Sequence, residues 1–277
     1  MSEQHPRLWL CATCGVEYPP GPMPPEQCPI CEDERQYVPA TGQRWTTLAE
    51  LGDSGRAVEV AQIDDRLWGI SAPGVGIDQQ GMLVQTNEGN LLFDVPGFID
   101  TAAIERVREL GGIRHIVASH PHMYGAQSAW SAAFDDATIW VAEADAGWLG
   151  NATAAVRTWS EPFDVLPGIR LDQIGGHFPG STIAHWADSA ADQGVLFAGD
   201  AIFPTPDGNV TFLRSYPNRI PLSPAVIRRM ADHVQQFSFD VLYNNFGACV
   251  PGDAAAIVQR SAERYIAWTS GANDHLT

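Results

Sequence analysis

The sequence predicts an α/β protein in which a four-layer αββα sandwich follows a small module held together by a metal ion. Two observations predict it. Along residues 45–277, strand-like and helical runs alternate in two strand-rich halves, each with helices to cover it. Four of the five cysteines fall within the first 31 residues, as Cys11-Ala-Thr-Cys14 and Cys28-Pro-Ile-Cys31, thirteen residues apart. That spacing lets four thiolates converge tetrahedrally on one ion, zinc or iron alike. Gly15 allows a close backbone approach after the first pair. Two disulfides would require an oxidising compartment, yet Met1 to Gly15 has no basic stretch followed by an apolar one, so a reduced, cytoplasmic protein is expected. Cys249 reads as a reduced thiol without a role.

Pro19 to Pro25 forms the loop between the two cysteine pairs, and Val38 to Arg44 reads as a linker, dividing residues 1–44 from a single domain at 45–277. Strands are expected at Glu59 to Asp64, Leu67 to Ser71, Gly81 to Thr86 and Asn90 to Asp94. A helix follows, capped by Asp100 or Thr101, carrying Ile104, Val107 and Leu110 on one face and ending at Gly111-Gly112. A buried strand, Arg114 to Ser119, delivers His120 and His122. Beyond it come a helix Ala126 to Phe134, a strand Thr138 to Ala142 and a helix near Glu143 to Leu149. Strands follow around Phe163 to Leu166, Ile169 to Ile174, Thr182 to Trp186 and Gly194 to Ala198. Helices over Pro224 to Gln236 and Gly252 to Trp268 flank a last strand, Asp240 to Tyr243. Phe203 to Pro221 reads as too irregular for core.

Composition limits the partners. With 45% hydrophobic residues the chain has enough apolar surface for one large core. Its net charge of −17 repels phosphate backbones and anionic membranes, so nucleic acid and membrane are excluded and a small-molecule substrate is expected. No apolar run is long enough for a membrane span. Homo-oligomerisation is left open.

The chemistry gathers at strand ends. In an extended Ser119-His-Pro-His122 segment both imidazoles point to one side and can chelate one ion. Gly175-Gly-His-Phe-Pro-Gly-Ser181 exposes a third imidazole, His177, between glycines, and Leu196-Phe-Ala-Gly-Asp200 ends an apolar strand on a carboxylate. His115, His185 and His233 read as structural or exposed.

Leu91-Leu-Phe-Asp94 followed by Gly97, the His120-x-His122 pair, Gly176-His177-x-Pro-Gly-Ser181 and Gly199-Asp200 together resemble the metallo-β-lactamase superfamily, from about Ala57 onward. The resemblance implies the metallo-β-lactamase αββα sandwich and water activation at metals for hydrolysis of esters, thioesters, amides or phosphoesters. It also implies that Asp94 supports the metal loops. Leu8-Trp-Leu-Cys-Ala-Thr-Cys-Gly through Pro25-Glu-Gln-Cys-Pro-Ile-Cys, closing on Tyr37, resembles the rubredoxin-like module of rubrerythrins. Where the superfamily continues His-x-His-x-Asp-His, this chain has Tyr124 and Gly125, and Asn244-Asn-Phe-Gly247 stands where a Gly-His-Gly-like turn belongs. A second metal thereby loses its ligands, so one zinc or iron ion is expected, held by His120, His122, His177 and Asp200.

Tyr124 and Asp200 are the expected catalytic groups, Tyr124 as a donor to transition-state charge or as aromatic filler. Arg214, Tyr216 and Phe246 are expected to bind substrate, Arg214 as a carboxylate anchor. The activity expected first is hydrolysis of a small ester, thioester or lactone by a single metal-bound hydroxide. The alternatives are an iron oxidoreductase resembling persulfide dioxygenases, fed with electrons by the rubredoxin-like module, and a non-catalytic ligand-binding protein.

Overall fold

The computed structural model describes residues 7–189, 191 and 193–277. By Cα packing the chain divides into two compact units, Met1–Trp159 and Ser160–Thr277.

The first unit begins with a three-stranded sheet in the order β2-β1-β3, formed by β1 (Arg7–Cys11), β2 (Glu17–Gly21) and β3 (Trp45–Thr46), with the short helix α1 (Pro29–Glu32) between β2 and β3. Helix α2 (Leu48–Asp53) follows, its N-cap Thr47 accepting Glu50 N–H. Then comes a seven-stranded mixed sheet, β4 (Glu59–Asp64), β5 (Leu67–Ser71), β6 (Gln80–Val84), β7 (Leu91–Phe93), β8 (His115–Val117), β9 (Thr138–Ala142) and β10 (Val156–Trp159), in sequential order. Strands β4 to β7 pair antiparallel and β7 to β10 parallel. The parallel pairs need crossovers, which α3 (Thr101–Glu109), α4 (Gln127–Ala133) and, between β9 and β10, the segment with the 3-10 turn Glu143–Trp148 supply. Asp100 caps α3 by accepting Ala103 N–H at 2.7 Å, as its sequence predicts. Strand β10 is not foreseen, and the helix expected near Glu143 is a 3-10 turn, Glu143–Trp148, whose Gly147 disfavours continuation as an α-helix.

The second unit carries a six-stranded sheet in the order β11-β12-β13-β14-β19-β20. Its strands are β11 (Phe163–Leu166), β12 (Ile169–Gln173), β13 (Thr182–Trp186), β14 (Val195–Phe197), β19 (Val241–Tyr243) and β20 (Cys249–Val250). Two ribbons, β15 (Phe203–Pro204) with β16 (Val210–Thr211) and β17 (Leu213–Ser215) with β18 (Ile220–Pro221), occupy the stretch expected to lie outside the core. That expectation fails at Val210 and Phe212, which are fully buried in the cluster formed by Ile227, Met230, Leu242 and Val258. Their apolar side chains fall every second residue on short ribbons, a period too brief to register in the sequence. Helices α5 (Pro224–Val234) and α6 (Ala254–Thr269) cover this core. Among the described residues no helix is long and apolar enough to cross a membrane.

Candidate metal centres

Cys11 closes β1 and Cys14 lies in the turn beyond it, while Cys28 caps α1 and Cys31 lies within that helix. All four are buried free thiols. The Cys11 and Cys31 sulfurs are 3.6 Å apart and those of Cys14 and Cys28 3.7 Å. A disulfide needs about 2.05 Å. A tetrahedral ion about 2.3 Å from each sulfur sets them about 3.8 Å apart, so the donor set fits such an ion. Crowding makes the thiols hydrogen-bond one another, which pulls Cys11 far below the usual thiol range and pushes Cys14 and Cys31 above it. Two side chains outside the CxxC pairs also reach the sulfurs: Tyr18 Oη lies 3.1 Å from Cys28 Sγ, and Gln43 Nε2 donates to Cys11 Sγ at 3.2 Å. Neither follows from cysteine spacing. Gly15 has φ +76°, its N–H donates to Cys11 O, and a Cβ there would come within 3.2 Å of Gly76 Cα. The approach it permits is to another backbone segment of the unit.

His120 and His122 also belong to this unit. Strands β7 and β8 run parallel and end together, and Asp94 and His120 follow their carboxyl ends, where parallel sheets usually place functional groups. Asp94 Oδ1 accepts Ser119 N–H at 2.6 Å and Oδ2 accepts the Ser119 hydroxyl at 3.1 Å. With the hydroxyl proton given to Asp94, Ser119 Oγ accepts from His120 Nδ1, 2.9 Å away. That leaves the Nε2 lone pair for a ligand. Spacing alone assigns Ser119 no task, because a serine beside a histidine follows no spacing rule. The segment is not extended as expected: Pro121, with its fixed φ, opens a 3-10 turn Pro121–Met123. The turn still brings the two rings together, centroids 5.0 Å apart.

The departures from the His-x-His-x-Asp-His pattern have a structural explanation within the first unit. Tyr124 is fully buried in the same apolar cluster as the four cysteines, and its hydroxyl donates to Asp145 O at 3.0 Å. Burial, reinforced by Asp145, pushes its pKa well up. Gly125 has φ +49°, and a Cβ there would collide with the Val95 carbonyl oxygen. Its own carbonyl accepts Glu17 N–H at 3.0 Å. The Glu17 carboxylate accepts Ser128 N–H at 2.8 Å and the Ser128 hydroxyl at 2.7 Å. Burial raises Glu17 to about 7, against the lowering effect of Ser128. Residues 124–128 thus serve as the seat on which the cysteine hairpin docks.

The second unit contributes His177 and Asp200. His177 lies in a glycine-framed loop; Gly176 has φ +89°, and a Cβ there would meet the Met230 sulfur. His177 Nδ1 is 3.0 Å from Leu213 O, which can only accept, so Nδ1 carries the proton and Nε2 the lone pair. That lone pair faces Asp200 Oδ2 at 3.8 Å, beyond hydrogen-bond length, with both side chains buried. Acceptor facing acceptor at this distance suits a cation between them. Tyr216 donates to Asp200 O at 3.0 Å, and its ring lies 5.9 Å from that of His177. Arg214, on β17, is half-buried, and Phe246 is 37% exposed. His115, His185 and His233 have partners elsewhere: Trp140 Nε1, Ser238 O and Asp172.

Cys11, Cys14, Cys28 and Cys31 therefore qualify as a metal site within the first unit, their ligand atoms lying within 4.8 Å of one another, and the second candidate donor set is His120 and His122 of the first unit with His177 and Asp200 of the second. Residues 78–256 match the metallo-beta-lactamase superfamily. The chain belongs to that superfamily. It is also 38% identical to the uncharacterized protein YmaE of Bacillus subtilis (strain 168), over 93% of this chain and 95% of YmaE. Among solved structures it resembles the metallo-beta-lactamase from Pontibacter korlensis at 17% identity and TM-score 0.56, covering 76% of this chain and 99% of that one. It also resembles FIM-1 from Pseudomonas aeruginosa, solved in a mono-zinc form, at 16% identity and TM-score 0.54, covering 75% and 95%. At such identities the likeness is one of fold. The expected metallo-β-lactamase fold, preceded by a cysteine-cluster module, is the fold found.

Proposed function

We propose that this superfamily member is a hydrolase of a small ester, thioester or lactone that works with a single zinc ion held by His120, His122, His177 and Asp200. The observation that carries the reading is the arrangement of lone pairs: His120 and His177 each give their Nδ1 proton to a fixed oxygen, and the Nε2 of His177 faces a buried carboxylate. When bound there, zinc would lower the pKa of a coordinated water to about 7 and so supply the nucleophile. Everything else falls to the protein. Asp94 holds Ser119 by two hydrogen bonds, and Ser119 holds the His120 ring, so the first imidazole is fixed before any ligand arrives. Leu213 does the same for His177. Asp200 is the base in this ligand set and accepts the proton released as water attacks, while Tyr216 holds its backbone.

A second metal has no place in this reading, because the segment that would supply its ligands seats the cysteine hairpin instead. The cysteine centre is read as structural: four buried sulfurs on a short segment, packed among Leu10, Val16 and Ile30, would be drawn together by the metal. Free thiols at those positions fit a reducing compartment such as the cytoplasm.

A panel of aryl and alkyl esters, thioesters and lactones tests the activity. Zinc-loaded protein should turn over at least one class, and His120→Ala with His122→Ala should abolish turnover while the cysteine-bound metal is retained. A metal-loaded protein inert toward the whole panel would contradict the reading.

A further inference from the structure

Strands β14 and β19 run parallel, Phe197 opposite Tyr243, and Ala198 N–H donates to Tyr243 O at 3.0 Å. Both strands stop there, Asp200 following on one and Asn244-Asn245 on the other. Asn244 is partly committed to its own turn, Oδ1 accepting Phe246 N–H at 3.0 Å and Ala248 N–H at 2.9 Å while Nδ2 has no hydrogen-bond partner in the protein. Asn245 is not. It is 1% exposed, and neither Oδ1 nor Nδ2 has a hydrogen-bond partner in the protein. Buried amides are almost always bonded, so one with both atoms open calls for a ligand. Its chain neighbour Phe246 begins a ledge of rings. Phe246 lies 6.0 Å from Phe203, Phe203 4.6 Å from Tyr216, and Tyr216 5.9 Å from the ligand ring of His177. The Tyr216 hydroxyl is committed to Asp200 O, so this ledge offers ring faces and edges rather than polar groups.

We propose that Asn245 is a further catalytic residue, donating from Nδ2 to the carbonyl oxygen of the scissile bond, and that Phe203, Tyr216 and Phe246 take an aromatic group attached to that carbonyl. The substrate class is thereby narrowed, on the hydrolase reading, to uncharged aryl-bearing esters, thioesters or lactones. An asparagine amide stabilises developing negative charge on the oxygen without adding charge of its own. Stacked or edge-on ring contacts select an aryl group over a short alkyl one. A carboxylate in that position would find a neutral amide and a protein of net charge −17.

Acetophenone, which carries the ring and the carbonyl but cannot be hydrolysed, probes the subsite by saturation-transfer NMR on zinc-loaded protein, with acetone and benzoate as controls. Wild-type protein should bind acetophenone in preference to both. Asn245→Leu should weaken it about tenfold, the size of one hydrogen bond, with metal content unchanged and melting temperature no lower, since Leu removes an amide that has no partner to lose. Asn245→Asp, isosteric but without the donor, should lose binding equally and serves if the Leu variant fails to fold. On phenyl acetate, Asn245→Leu should lower kcat on the order of a hundredfold. Acetophenone that does not bind wild type, binds no better than benzoate, or binds both Asn245 variants undiminished overturns the subsite. If phenyl acetate stays intact while acetophenone binding is present and depends on Asn245, the hydrolase reading falls and the binding site stands.

Discussion

Around Cys11, Cys14, Cys28 and Cys31 every donor is sulfur, the neighbours are core residues such as Leu10, Val16 and Ile30, and all four ligands come from one compact hairpin-and-helix stretch. Around His120, His122, His177 and Asp200 the donors are mixed, one is a carboxylate, and the ligands come from loops far apart in sequence. Four sulfurs that fill a coordination shell leave nothing for a substrate. On the proposed reading, a histidine–carboxylate set keeps one coordination position open for water or substrate. Tyr124 and Gly125, at the positions where the superfamily pattern has Asp and His, belong to a segment with another task. Residues 124–128 pack against the cysteine hairpin, so what the histidine centre lacks in ligands the cysteine centre uses as support.

The largest effect is expected at Glu17, the carboxylate that joins the hairpin to Ser128. Its pKa rises from 4.5 to about 7 on folding, chiefly through burial. The folded chain therefore holds this proton more tightly than the unfolded one, and the stability it contributes is fully present below about pH 4.5 and lost as the pH rises through about 7. The shift corresponds to about 3 kcal/mol. Glu17→Gln keeps an acceptor for Ser128 but does not titrate. Urea midpoints at pH 5 and pH 8 should show wild type losing up to about 3 kcal/mol more stability than the variant over that interval. Parallel pH profiles would mean that Glu17 does not carry the junction.

A smaller effect is expected at Tyr124. Tyr124→Phe removes one buried hydrogen bond, to Asp145 O, and should cost about 1 kcal/mol in stability, read as a lower urea midpoint. Turnover and histidine-site metal should be unchanged, since the hydroxyl serves the core. A hundredfold fall in kcat without loss of stability would return Tyr124 to the role its place in the sequence suggested.

The candidate ligands were legible as motifs: two residues between cysteines, one between His120 and His122, glycines around His177 and a strand ending in Gly-Asp. Groups that act through a ligand obey no such spacing. Ser119, Tyr18 and Gln43 are ordinary polar side chains until the fold brings them to an imidazole or a sulfur. Asn245 was visible only as a missing histidine, its open amide only after burial was known. The long strands and the capped helix α3 announced themselves by period and cap, whereas ribbons of two or three residues such as β15 and β17 are too short to show a period.

The most direct test of the whole account is the metal stoichiometry of the intact chain, by native mass spectrometry with elemental analysis. Wild-type protein should carry two ions per chain, one of them removed by His120→Ala with His122→Ala and the other by Cys28→Ser with Cys31→Ser. Zinc in the histidine centre and a colourless protein accord with the hydrolase reading. A third ion, or an ion count that neither pair of substitutions lowers, would contradict the division between a closed structural centre and a single-metal active site.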